Sequence, residues 1–177
     1  AAAIDAATID AAMIDARADA RVDAATPDAR VDAATDARPM CPGTYDVTFQ
    51  GSRYRFGAIA VVWSVAAADC ADDLPGRTHL ATFEVAADMD GAIAAVNPGN
   101  SAEPLVGAEC TASDCGPPIA WTWVTGGNVS PTLWQTGQPD NDTTEKAGAA
   151  IREMGTWKLQ NVTTSLTTRP FICECDP

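Results

Sequence analysis

The sequence predicts an α+β domain, and three observations carry that prediction: the order of its apolar periodicities, an even set of cysteines, and a long loop anchored by tryptophans. From residue 41 onward a hairpin pattern is followed by two helical patterns, and strand patterns then flank an irregular stretch. That is the order expected when helices group beside antiparallel strands. Cys41, Cys70, Cys110, Cys115, Cys173 and Cys175 lack the paired CxxC spacing of a zinc site, so disulfides formed in an oxidising compartment are expected. The irregular stretch WTWVTGGNVSPTLWQTGQPDND runs from Trp121 to Asp142. Loops of that length in compact domains are usually functional, and Trp121 and Trp123, two residues apart, share one face of an extended root.

Residues 1–40 form an Ala/Asp tract with Ile4, Ile9 and Ile14 five apart and RVDAAT at 21–26 and again at 30–35. A five-residue step walks the isoleucines around a helix, Pro27 and Pro39 interrupt it, and eight Asp face four Arg without aromatics. Too little apolar surface is offered to offset the entropy of ordering, so a disordered low-complexity stalk is expected, with a domain over 41–177. Beyond it Tyr45, Val47 and Phe49 alternate, Gly51-Ser52 can turn, and Tyr54 and Phe56 alternate again, which predicts a β-hairpin. Trp63, Ala66, Ala67, Cys70 and Leu74 fall at helical spacing before Pro75-Gly76, and Val85, Met89, Ile93 and Val96 repeat that spacing before Asn97-Pro98-Gly99. A short strand at Leu105, a strand at Trp121, and three more supplied by Ala149, Ile151, Trp157, Leu159, Phe171 and Cys173 complete the order.

The chain has 177 residues and a net charge of −13, which argues against nucleic acid or an anionic membrane and leaves calcium or a cationic surface as fitting partners. No apolar run approaches the roughly 20 residues needed to span a bilayer. The first residues lack the pattern of a signal peptide, so any export signal is expected to have been removed already. Lone His79 has no nucleophile beside it, and Cys173-Glu174-Cys175 is explained by structural disulfides, so no enzyme is expected.

Several landmarks in order give this chain a resemblance. Trp121-x-Trp123-x-x-Gly126 precedes Trp134-x-x-Gly137-Gln138-Pro139-Asp140-Asn141, followed by Glu145, Trp157 and Phe171-Ile172-Cys173-Glu174. Trp63 to Cys70 and His79 to Phe83 match a first helix with its cysteine and a short strand after it, and Leu105 to Ala108 stands where WIGL is usual. The region 41–177 resembles the C-type lectin-like domain, which implies two helices, small antiparallel sheets and a long binding loop, stapled by disulfides. The resemblance implies a bridge from Cys70 to Cys173. Cys110 and Cys115 are near enough to close a small loop, and the remaining Cys41 and Cys175 would join if first and last strands are neighbours, as in the resembled fold.

Within the resemblance, Gln-Pro-Asp marks a calcium-dependent sugar site of the galactose-preferring kind with a cis proline. It implies Gln138 and Asp140 as calcium ligands and Glu145 as a third, with Trp134, Asn141 and Asp142 among the ligand-binding residues. Calcium's preference for six to eight oxygens suits this stretch. The chain also departs from the pattern. Lys158 and Leu159 follow Trp157 in place of Asn-Asp, Ala147 and Gly148 stand where one cysteine of an inner bridge is expected, and no tryptophan comes directly after Gln138-Pro139-Asp140. An ammonium beside the ion would oppose it. A turn held by its own side-chain hydrogen bonds is the competing reading of residues 137–142.

The sequence therefore predicts a non-enzymatic recognition module outside the cell or on its surface, binding a carbohydrate or surface ligand through residues 126–145. The alternative is a calcium-independent protein-binding or structural adhesion domain with a degenerate sugar site. The stalk is similar to spacers of bacterial surface lipoproteins, which would place a lipid anchor upstream. Trp134 is the tryptophan expected to be most exposed.

Overall fold

A computed structural model describes residues 40–177 except 98, 100 and 101. The stalk expected over 1–40 therefore lies, save for Met40, outside the described residues. β1 (Val47–Phe49) and β2 (Ser52–Val61) form the expected hairpin. Its two turn residues, Gln50 and Gly51, take φ of 49° and 94°, the primed turn whose twist suits a two-residue connection. β2 continues well past Phe56 to Val61, and Gly57–Val61 is uniformly apolar, so alternation gives no sign of the extra length.

Helix α1 (Trp63–Asp73) buries Trp63, Ala66 and Cys70, and α2 (Ala86–Val96) buries Met89, Ala92, Ile93 and Val96. Val85, expected on the buried stripe, is the N-cap of α2 and is 51% exposed. The stripe starts one turn later because the chain is still extended there. β3 is confined to Thr78–Leu80; Ala81 donates to the Ile172 carbonyl at 2.9 Å and the chain then turns away, which shortens the expected His79–Phe83 strand.

The remaining strands are β4 (Leu105–Glu109), β5 (Thr122–Trp123), β6 (Ala147–Glu153), β7 (Thr156–Val162) and β8 (Arg169–Cys175). They join one mixed sheet in the order β1-β2-β8-β4-β6-β7, with β3 on β8 and β5 on β4. Where small antiparallel sheets were expected, a single parallel contact between Leu105 and Phe171 links the two halves. Close approach is bought by glycine at Gly107, where a Cβ would meet the Leu80 carbonyl at 2.6 Å, and at Gly148, where it would meet Ala108 Cβ at 2.6 Å.

β8 organises the interior. Phe171, Cys173 and Cys175 join a core with Trp63, Ala66 and Cys70 of α1, whereas Ile172 joins a larger one with Met89 and Ile93 of α2 and with Trp121 and Trp157. Alternate side chains of one strand thus feed two cores, as the period of two requires. The disulfides are Cys41–Cys175, Cys70–Cys173 and Cys110–Cys115. The first ties the start of the described chain to β8, the second ties α1 to β8, and the third closes the loop after β4.

Candidate ligand-binding loop

The long loop leaves β5 at Trp123 and returns at β6. Its root is held by aromatic burial: Trp121 is fully buried and donates Nε1–H to the Cys115 carbonyl at 2.7 Å, and Trp134 stacks edge-on against it at 4.8 Å. Trp134 is only 5% exposed and forms a bridge with Leu159 of β7. The expectation that Trp134 is the most exposed tryptophan is corrected accordingly: the indole packs at the root of the loop, and Trp63, at 9%, is the most exposed of the five. Gln135 N–H then donates to the Leu159 carbonyl at 2.9 Å, which lays the next residues along β7.

Gln138-Pro139 is a cis peptide bond. On either side of it, Gln138 and Asp140 both reach Asn161 near the end of β7. Asn161 donates Nδ2–H to Asp140 Oδ1 at 2.9 Å and accepts from Asp140 N–H at 3.2 Å, while its own N–H reaches Gln138 Oε1 at 3.4 Å. Asn161 is 3% exposed, so this clasp is the buried floor beneath an exposed Asp140. Sequence reasoning gave Asn161 no role beyond a neutral oxygen. The available signal was a polar residue on the same strand face as Trp157 and Leu159, where alternation predicts an apolar one.

Lys158 lies on the face of β7 opposite Asn161. Its Nζ donates to the Thr132 carbonyl at 2.9 Å, and Leu159 is buried in the core. Ala147 and Val162, both buried, face each other across β6 and β7, so apolar packing joins these strands near the loop.

Beyond Asp140 the loop is turned by its own carboxylates. Asp142 N–H donates to Asp140 Oδ1 at 3.0 Å, and Thr144 donates to Asp142 Oδ1 from its N–H at 2.8 Å and its hydroxyl at 2.7 Å. The Thr144 hydroxyl and amide hold the exposed Asp142 carboxyl below its usual range. Glu145 is raised instead, first by burial and then by the negative charges of Asp140 and Asp142. Asp140, Asp142 and Glu145 form none of the ion pairs among the described residues. Lys146 Nζ is turned to the Ala112 carbonyl at 3.0 Å. Asn141 is exposed and packs against Gly116, where a Cβ would collide with its side-chain oxygen.

The arrangement sets the Gln138 and Asp140 oxygens over one buried amide, with Glu145 in the field of Asp140 and Asp142 and no ion pair among the described residues to balance them. Such a donor set suits calcium, which takes oxygens from carboxylates and amides and completes its shell with water or ligand hydroxyls. The fit is partial, because Asp140 Oδ1 already accepts two hydrogen bonds and Asn161 contributes an amide where a carboxylate would bind more strongly.

No protein-family model matches the chain, and no curated protein matches it. Solved structures do. The C-type lectin CEL-I from Cucumaria echinata aligns with a TM-score of 0.64 at 20% identity, covering 76% of this chain and 96% of its own. A calcium-dependent type II antifreeze protein, in its calcium-free form, aligns at 0.60 and 22%, covering 76% and 98%. A calcium-independent type II antifreeze protein aligns at 0.62 and 18%, covering 77% and 95%. The fold is therefore the C-type lectin-like fold, and structures of that fold with and without calcium dependence resemble it equally.

Proposed function

We propose that this protein is a non-enzymatic, extracellular recognition module that holds calcium at Gln138, Asp140 and Glu145 and binds a carbohydrate through the exposed face of residues 126–145. One observation carries the reading: Asn161, buried in β7, engages Gln138 Oε1 and Asp140 together, while Asp140 stays exposed and the loop's carboxylates form no ion pair among the described residues. A bound calcium ion would supply the positive charge that the loop lacks and open coordination positions for vicinal hydroxyls. The protein's own contribution is to fix the donors before the ligand arrives, which lowers the ordering cost of binding. CEL-I, a C-type lectin, shares the fold, which supports the ligand class. Residues 1–40 are proposed to be a spacer carrying the domain away from an anchor.

The calcium-independent reading also has a specific support. The Asp140–Asn161 clasp and the Asp142–Thr144 turn close the loop with the protein's own hydrogen bonds, which favours a shape held without an ion. Retention on galactose-coupled resin separates the two. Retention in calcium that is lost in chelator and in Asp140→Ala supports the proposal; retention indifferent to both moves the function to calcium-independent contact.

A further inference from the structure

Away from the loop, β3 pairs with β8 so that His79 lies directly opposite Glu174, and Asp176 follows two residues along the same chain. His79, Glu174 and Asp176 each present a ligand-capable atom, all within 4.8 Å of one another. We propose that these three side chains form a zinc-type transition-metal site with a fourth coordination position open to solvent, independent of the loop and of the function proposed for it.

The histidine carries the argument. Its Nδ1 lies 2.9 Å from the Leu80 carbonyl oxygen. A carbonyl only accepts, so Nδ1 bears the hydrogen and the lone pair of a neutral ring falls on Nε2. Nε2 is 3.2 Å from Asp176 Oδ2, which is an acceptor as well. Two lone pairs facing each other at that distance need a cation between them, either a proton or a metal ion. A metal-bound imidazole ordinarily donates its other N–H to a carbonyl, which is the arrangement found here.

Zinc bonds of roughly 2.0–2.2 Å at tetrahedral angles set two donors about 3.3–3.6 Å apart. The His79–Asp176 pair at 3.2 Å stands near that spacing, and Glu174, within 4.8 Å, would draw in toward a bound ion. Glu174 is 5% exposed. Its carboxylate is held by the Tyr54 hydroxyl at 3.0 Å on Oε1, and by Thr82 N–H at 2.9 Å and the Thr82 hydroxyl at 3.2 Å on Oε2. Those three bonds fill three of its roughly four lone-pair positions and leave one on Oε1. Burial and the Glu174 charge raise the Tyr54 phenol, keeping it a donor. Arg77 bonds the backbone carbonyl of Asp176, leaving that carboxylate to His79. His79 and Asp176 line a cavity of about 530 Å³ with Ala67, Ala71 and Val124, and Glu174 and Asp176 line a second one of about 280 Å³ with Tyr54 and Thr82, so the two cavities share Asp176.

His79 is the one histidine of the chain, so its imidazole resonances report on the site without assignment ambiguity even if zinc also visits exposed carboxylates. The test is a proton NMR titration of the full, disulfide-intact chain with zinc chloride, after chelator treatment and in calcium-free buffer. The expected result is a shift of the His79 ring signals that saturates at one equivalent. Asp176→Asn, at a half-exposed position, should weaken it at least tenfold, whereas Asp140→Ala should leave it unchanged. Ring signals unmoved by excess zinc, or moved identically in Asp176→Asn, would overturn the proposal and leave a proton between His79 and Asp176.

Discussion

Replacing Asn161 with alanine removes both hydrogen bonds that hold Asp140 to β7, one of them charge-assisted at 2.9 Å. A bond to a charged group is worth about 1.5–3 kcal/mol and a neutral one about 1 kcal/mol, but Asp140 is exposed and recovers water when released. The net loss works out at about 2 kcal/mol. At roughly 3–4 °C per kcal/mol for a domain of this size, the thermal midpoint should fall by about 6–8 °C. Tryptophan fluorescence is the assay, since all five indoles lie between Trp63 and Trp157 and report only on the domain. Asn161→Asp sharpens the experiment. It sets a carboxylate against Asp140, so in chelator it should destabilise more than alanine does, and calcium should recover much of the loss. A midpoint for Asn161→Ala within about 1.5 °C of the parent, well under the loss of one such hydrogen bond, would refute the clasp.

Replacing Cys70 and Cys173 together with alanine opens a loop spanning 103 residues, and chain entropy puts the cost at about 4–5 kcal/mol, readable as a lower urea midpoint. Glu145, raised by burial and by its acidic neighbours, opposes folding once ionised, so its unfavourable contribution is present at neutral pH and disappears as pH falls through its folded-state value. Glu145→Gln in chelator should accordingly raise the midpoint at neutral pH and flatten the gain on acidification, whereas an unchanged pH profile would exonerate the loop charges. Limited proteolysis should leave a resistant fragment beginning near Cys41; equal protection of residues 1–40 would remove the spacer.

Elements carried by periodicity were legible in the sequence. Trp63, Ala66 and Cys70 announce α1, Met89, Ile93 and Val96 announce α2, and Tyr45 to Phe56 announce the hairpin, because each buries one face and exposes the other. What depended on tertiary context was hidden. Gly57–Val61 extends β2 without alternation, Leu105 and Phe171 make a parallel contact that no local pattern encodes, and counting cysteines leaves their pairing open. The site divides the same way. Gln138, Asp140 and Glu145 were visible as an oxygen-rich run, whereas the clasp by Asn161, the burial of Trp134 and the turning away of Lys158 follow from how β7 packs beneath the loop.

The most direct test of calcium binding at Gln138, Asp140 and Glu145 is the thermal midpoint of the full chain in chelator and in 10 mM calcium, for the parent and for Asp140→Ala. With a dissociation constant of about 10⁻⁴–10⁻³ M, the range of extracellular calcium modules, linkage predicts about 1.4–2.7 kcal/mol of stabilisation. That corresponds to a rise of about 5–9 °C in the parent, with none in Asp140→Ala. Coincident midpoints for the parent with and without calcium would contradict the account and leave the loop as a calcium-independent surface.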